Sequence, residues 1–287
     1  MAKLLLYFKE VYMSNIKIIT DTTSYITKEF AEKHNLSIVK LNYTFERETY
    51  KEGFPGEFDE FFHKLASTKL FPTTSQPSTG EFMEEFTKAL EEGYESIIVI
   101  LLSSKLSGTY SNAMLAKKML GDERISIIDS EQVASNLRFL VEDALNMAKI
   151  GKTKEEIVDH IESKKKKMSI YLTVDTLEYL KRGGRLSGVQ SAIGDVLNIK
   201  PIIMLKDGEL KLLEKVRGKS KAINSIVERI PESVEKISIC HVLNEEEAQK
   251  LKEAIECRFS NADISIDELG PVIGCHVGPK AIGICFY

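Results

Sequence analysis

The run Ile97 to Leu102, six consecutive apolar residues rich in β-branched side chains, is compatible with few folds. Side chains alternate across a strand, so a stretch with no polar residue on either face must be covered on both. Two-sided burial is the habit of parallel sheets flanked by helices. Asn15–Thr20 and Arg124–Ile128 read as further strands, and each of the three runs into polar residues: Asp21-Thr22-Thr23-Ser24, Ser103-Ser104 and Asp129-Ser130. Helical patterns lie between them. Thr27–His34 is one; Phe82, Phe86 and Leu90 form an apolar stripe behind the capping-box pair Ser78 and Glu81; Tyr110–Leu120 is a third, stopped by Gly121. This alternation predicts an N-terminal α/β domain built on a parallel sheet, whose ligand sites lie beyond the carboxyl ends of the strands.

Hydroxyl side chains collect at that edge. Ser103, Ser104, Ser107, Gly108 and Thr109 stand between the central strand and the next helix, where unpaired backbone N–H groups and the helix dipole favour an anion. An ordinary helix cap accounts for the same residues, and both readings stay open from the local pattern. Phe71–Gly80 is a loop bracketed by Pro72 and Pro77, which stiffen the polar stretch Thr73-Thr74-Ser75-Gln76. Leu36–Leu41 reads as a strand and residues 42–58 as loop and short hairpin. Residues 131–167 read as two helices split near Gly151, with Lys164–Lys167 a solvated helix end.

The pattern changes near Met168. Strands at Ser169–Val174, Lys236–Val242, Asp263–Ile266 and Ala281–Tyr287 join a hairpin, Pro201–Leu205 with Glu209–Leu213, turning at Asp207-Gly208. Thr176–Lys181 reads as a short helix leaving through Arg182-Gly183-Gly184-Arg185, and a longer helix follows Asn244, with Asn244 and Glu247 at capping spacing. The expectation is an α/β protein of two domains: residues 1–168 with a parallel sheet and 169–287 an α+β domain with a mixed sheet.

The formal net charge of -4 gives no reason to expect nucleic acid. No apolar run approaches the roughly 20 residues of a membrane-spanning helix. In MAKLLLYFKEVY the apolar core is too short for a secretory signal, and residues 1–13 read as an extension, with an upstream start before Met13. Cys240, Cys257, Cys275 and Cys285 form no C-x-x-C pair, which fits a reduced cytoplasmic protein without zinc or disulfides. Nucleotide fingerprints are absent, and no cofactor is expected. Ser107 lacks the first glycine of a G-x-S-x-G elbow. Cys275 and His276, if extended, point to opposite faces, leaving Cys275 a small buried hydrophobe. His276, just before Val277-Gly278-Pro279, is placed to aim a ring nitrogen at a ligand, whereas His34, His63, His160 and His241 read as structural or exposed. The residues alone thus reach a polar site for a carboxylate or phosphate, with a serine-dependent esterase or acyl-transfer hydrolase as the alternative.

Assembled in order, TDTTS (Thr20–Ser24), TTSQPS (Thr73–Ser78), LSSKLSGTY (Leu102–Tyr110), IDS (Ile128–Ser130), YLKRGGRLSG (Tyr179–Gly188), LNIKPI (Leu197–Ile202), KVRGK (Lys215–Lys219) and HVGP (His276–Pro279) resemble the DegV family of bacterial fatty-acid-binding proteins. The resemblance implies two domains clasping one long-chain fatty acid. It further implies a role as the non-enzymatic acyl-carrying subunit of a fatty acid kinase system, presenting the carboxylate to a separate ATP-dependent kinase that makes acyl phosphate for phospholipid synthesis, with transient contact at a membrane surface. By motif, Thr74, Ser107 and His276 would bind the carboxylate, with the backbone at Gly108 as a further donor. Arg185 and Lys200 take second place, near the carboxylate or in kinase docking. Two positions depart from the family pattern. Asp21-Thr22 replaces an aspartate-serine pair, and Lys280 stands where glycine is usual, either straining a left-handed backbone or adding charge near the head group.

Overall fold

The computed structural model describes residues 15–68, 70–192 and 199–287, so the 1–13 extension and Leu197-Asn198 of LNIKPI lie outside the described residues. Strands β1 (Ile16–Asp21), β2 (Ser37–Val39), β3 (Asn42–Phe45), β4 (Glu48–Lys51), β5 (Thr73–Ser75), β6 (Ser96–Leu101) and β7 (Ile125–Asp129) form two sheets. One is parallel, in the order β2-β1-β6-β7; the other is antiparallel, in the order β4-β3-β5. Strands β8 (Ser169–Thr173), β9 (Ile199–Lys206), β10 (Glu209–Arg217), β11 (Lys236–His241), β12 (Asp263–Glu268) and β13 (Ile282–Phe286) make a mixed sheet ordered β10-β9-β8-β13-β11-β12. There β11 and β12 alone run parallel.

Two-sided burial of β6 holds residue by residue. Ile97, Val99 and Leu101 pack with Phe82 and Phe86 of helix Thr79–Glu91 and with Ala113 and Ala116 of helix Thr109–Leu120. Ile98 and Ile100 face the other way, onto Leu137, Leu140 and Val141 of helix Ala134–Lys149 and Ile157 and Ile161 of helix Lys154–Lys164. The capping box closes as expected: Ser78 Oγ accepts from Glu81 N at 3.2 Å, and Glu81 Oε2 accepts from Ser78 N at 2.8 Å. Asp207 (φ 52°) and Gly208 (φ 79°) both occupy the left-handed region that a tight two-residue hairpin demands. The hairpin tip docks on the first half, Ser103 Oγ donating to Gly208 O at 2.7 Å.

Several local expectations change. The proline-bracketed loop contains β5, because the extended backbone that prolines favour can pair, and it pairs with β3. Asp59–Ser67, to which the sequence pattern assigns no element, is a helix, burying Phe61, Phe62 and Leu65. Lys165 is no solvated helix end: it is buried, its Nζ donating to Asp129 O at 2.8 Å and lying 2.8 Å from Glu162 and 3.1 Å from Glu131. Asn244 starts helix Glu245–Arg258, but its amide donates to Glu247 Oε2 at 3.2 Å instead of accepting from a helix N–H. The segment around Cys275 and His276 is not extended. Pro271–Val277 forms a short helix with proline in its first turn, and it packs against β3 and β5 of the small antiparallel sheet. Consecutive helical residues still diverge by about 100°, so the argument against a Cys275–His276 dyad stands on a different geometry.

Candidate functional site

A cavity lies between the carboxyl ends of the parallel strands and the face of the mixed sheet. Leu41, Leu102 and Val133 wall it from the first side, and Ile170, Leu172 and Leu205 from the second. Ala281, Gly283 and Cys285 line it from the β13 segment, and these small side chains on a central strand leave the space. Ile284 and Phe286, of opposite parity, fill the core behind the sheet. Cys240 and Cys285 are buried free thiols on the cavity wall, with sulfurs 3.6 Å apart.

Thr74, Gln76, Ser107, Arg185 and His276 gather in the lining as its polar members, with Ser75. Strand β5 presents Thr74, whose Oγ1 lies 2.8 Å from His276 Nε2. Burial, and then the neighbouring Arg185 charge, hold the His276 imidazole down at about 4, so the ring is neutral at pH 7. Its Nδ1 is buried and has no hydrogen-bond partner among the described residues. A proton on Nε2 leaves only an acceptor unpaired, whereas a proton on Nδ1 would strand a buried donor. The ring therefore donates from Nε2 to Thr74, which frees the Thr74 hydroxyl hydrogen for the cavity.

Ser107 Oγ accepts from Thr109 N at 3.3 Å and lies 2.9 Å from Thr109 Oγ1. It thus accepts from the first N–H of helix Thr109–Leu120, whose N-cap position is Gly108, and also walls the cavity. Among the described residues its hydroxyl bonds only to Thr109, and His276 Nε2 is engaged with Thr74. Arg185 is half-buried, its Nε donating to Leu106 O at 2.9 Å and its Nη1 to Gly183 O at 2.6 Å. Among the described residues no carboxylate pairs with it, and burial lowers its pKa. An unneutralised guanidinium beside a neutral imidazole and two hydroxyls is a seat for an anion.

The remaining sequence candidates lie elsewhere. Gly108 faces an adjoining polar cleft, with Ser104, Gly184, Ser187 and Glu209, that shares Ser107 and Arg185 with the cavity; Gln76 packs over it, 2.9 Å from where a Cβ would be. Lys200 is committed to Asp175, 2.5 Å away. Lys280 is exposed and has φ 62°, so the position is strained and its charge does not line the cavity. The other polar strand ends are structural ties. Asp21 accepts from Thr23 N and Leu102 N, and Asp129 from Ser104 N and Glu131 N, because loops at the edge of a parallel sheet must satisfy their own N–H groups. Gln76 and the small β13 face were not singled out from sequence; a glycine within an apolar strand was the available sign. Among the described residues no helix is long and apolar enough to cross a membrane, and no group of three or more His, Cys, Asp or Glu could hold a metal ion.

Fold and cavity define an α/β binding protein whose apolar pocket, set between a parallel and a mixed sheet, ends in a neutral-to-cationic cluster of hydrogen-bond donors. The sequence model of a family described as uncharacterised protein, DegV family, matches residues 15–287, and the chain belongs to that family. A DegV domain-containing protein of Halalkalibacterium halodurans is 36% identical over 280 residues, covering 96% of this chain and 99% of the relative. Among solved structures, DegV of Bacillus subtilis, described as a fatty acid binding protein, superposes with a TM-score of 0.86 at 35% identity, covering 95% of this chain and 99% of that one. A stearic acid-binding protein of Eubacterium ventriosum gives a TM-score of 0.85 at 28% identity, covering 94% and 97%.

Proposed function

We propose that the protein binds one long-chain fatty acid and presents its carboxylate to a separate ATP-dependent fatty acid kinase. The observation that carries this reading is the joining of an apolar cavity to the Thr74–His276 pair, with Ser107 and the acid-free Arg185 beside it. The tail takes the apolar space between a first domain ending at Met168 and a second beginning at Ser169. The carboxylate accepts from the Thr74 and Ser107 hydroxyls and from Arg185, with His276 orienting Thr74. Presentation is favoured by the adjoining cleft at Gly108 and Ser187, which gives the head group a polar approach from outside. Lys200 and Lys280, away from the cavity, are left as candidates for partner contact. The related proteins of B. subtilis and E. ventriosum support the ligand class.

Mass spectrometry of organic extracts, with fatty acid titration of delipidated protein, tests the binding. One equivalent of acyl chain is expected; protein that neither carries nor takes up fatty acid overturns the reading. Conversion of the bound acid to acyl phosphate by a fatty acid kinase and ATP tests presentation.

A further inference from the structure

Glu52, just after β4, is fully buried. Its Oε1 accepts from Val272 N at 2.8 Å, across 220 residues of sequence, in the first turn of the helix that carries His276. Gly270 makes room for this bond: a Cβ there would stand 2.7 Å from Glu52 Oε1, 2.7 Å from the Phe58 ring and 2.9 Å from the Tyr25 ring. Glu52 faces the Thr22 hydroxyl, and the Tyr25 hydroxyl faces the backbone at Gly270 and Ile273.

A seven-residue helix is too short to hold itself together in water, so its place is set by what it is tied to. Pro271 has no N–H to give, and Gly274 N turns back to Gly270 O; of the first-turn N–H groups that remain, Val272 N donates out of the helix to Glu52, while Ile273 N faces the Tyr25 hydroxyl. A serine or aspartate in the local chain would cap such a start at little cost; a buried carboxyl group is an expensive alternative. What the distant carboxyl supplies is a tie between the first half of the chain and the helix.

We propose that Glu52 is a positioning residue for His276, its carboxyl group fixing helix Pro271–Val277 so that the imidazole meets Thr74 and, through it, the ligand. This rests on the reading of His276 as part of the carboxylate site. The groups facing Glu52 are the Thr22 hydroxyl, Asp21, Lys40, Tyr25 and Cys275. Burial, opposed by Thr22 and Val272 N–H, raises its pKa to about 7. In either protonation state one oxygen still accepts from Val272, so an amide in its place should serve.

The experiment compares Glu52→Ala, Glu52→Gln and Gly270→Ala by fatty acid titration below the melting transition and by NMR titration of the His276 ring. Glu52→Ala is expected to weaken binding about tenfold or more, and to move His276 from its depressed value toward the ordinary one of about 6.5. Gly270→Ala, which keeps the carboxyl but crowds it, is expected to do the same. Glu52→Gln is expected to preserve both readouts. A purely stabilising role would lower the melting temperature of Glu52→Ala yet leave affinity and the His276 titration of the folded protein unchanged, and that result overturns the proposal. So does Glu52→Gln behaving like Glu52→Ala. Wild-type protein that binds no fatty acid sinks the functional reading, while the His276 titration still decides this one.

Discussion

Gly183 and His276 occupy one shared volume: a Cβ on Gly183 would lie 2.1 Å from His276 Nδ1. Gly183 has φ −73°, an angle open to any residue, so glycine is required there by the imidazole and not by the backbone. Gly183→Ala should therefore leave the local backbone intact and expel the ring from its place beside Thr74. Loss of that hydrogen-bonded arrangement costs about 1.5 to 3 kcal/mol of ligand affinity, read by calorimetric titration with a long-chain fatty acid. Wild-type affinity in Gly183→Ala would show that ring position is irrelevant to binding.

Arg185 should discriminate the charge on the ligand. It lines the cavity with two carbonyl partners and no acid, so wild-type protein should prefer a free fatty acid over its methyl ester, and Arg185→Met should erase most of that preference. Ser107→Ala should weaken acid binding by roughly 1.5 to 3 kcal/mol, as expected for one donor lost from a buried anion. Equal acid-to-ester ratios in wild type and Arg185→Met would remove the guanidinium from the site.

The buried acids and the buried histidine pull stability in opposite directions with pH. Glu52 is raised to about 7 and Asp21 to about 6, each mainly by burial. Between their ordinary values and these, the folded chain keeps protons that the unfolded chain has released, so both acids make stability fall as pH rises through that window. His276, held down at about 4, acts the other way: below its ordinary value the unfolded chain takes the proton first, and stability falls as pH falls. Glu52→Gln removes one titration only. It should lessen the drop in thermal midpoint from about pH 5 to about pH 8 relative to wild type; an identical drop would mean that Glu52 ionises as it does in the unfolded chain.

Lys280 holds φ 62° with an exposed side chain, its N–H donating to Val242 O at 2.8 Å and its carbonyl accepting from Lys219 Nζ at 3.2 Å. Both bonds belong to the backbone and survive substitution. Lys280→Gly should stabilise the fold by up to about 1 kcal/mol, partly offset by the freedom glycine adds to the unfolded chain. Thermal unfolding should show a rise on the order of 2 °C, and a lower midpoint would refute strain at this position.

The parallel sheet was legible because β6 must be covered on both faces, and the Asp207-Gly208 hairpin because only certain residues accept its turn. Thr74, Ser107 and His276 could be named from motifs, but their meeting point could not be located. The helix Pro271–Val277 was illegible for a physical reason: Val272, Ile273 and above all Gly274 are weak helix formers, and packing of Gly274 on Phe62 together with the Glu52 bond decides the outcome. Asp21 and Asp129 show the converse. Their polarity at strand ends is plain in the sequence, yet whether a polar group serves a ligand or its neighbour's N–H depends on a loop path that local pattern does not contain. Arg185 ranked low because the lack of an acid beside it exists only in three dimensions.

Thr74 and His276 are separated by 202 positions, and Glu52 and Val272 by 220. Closing loops of that length is entropically late work, since non-local contacts form only after shorter ones have reduced the conformational search. A chain with its parallel sheet assembled but this closure still pending would have a core and no binding pocket. Any molecule that recognises the finished pocket would act on that last step alone, drawing the population toward completion by mass action. Occupancy would then report on maturation of the chain as much as on supply of the ligand.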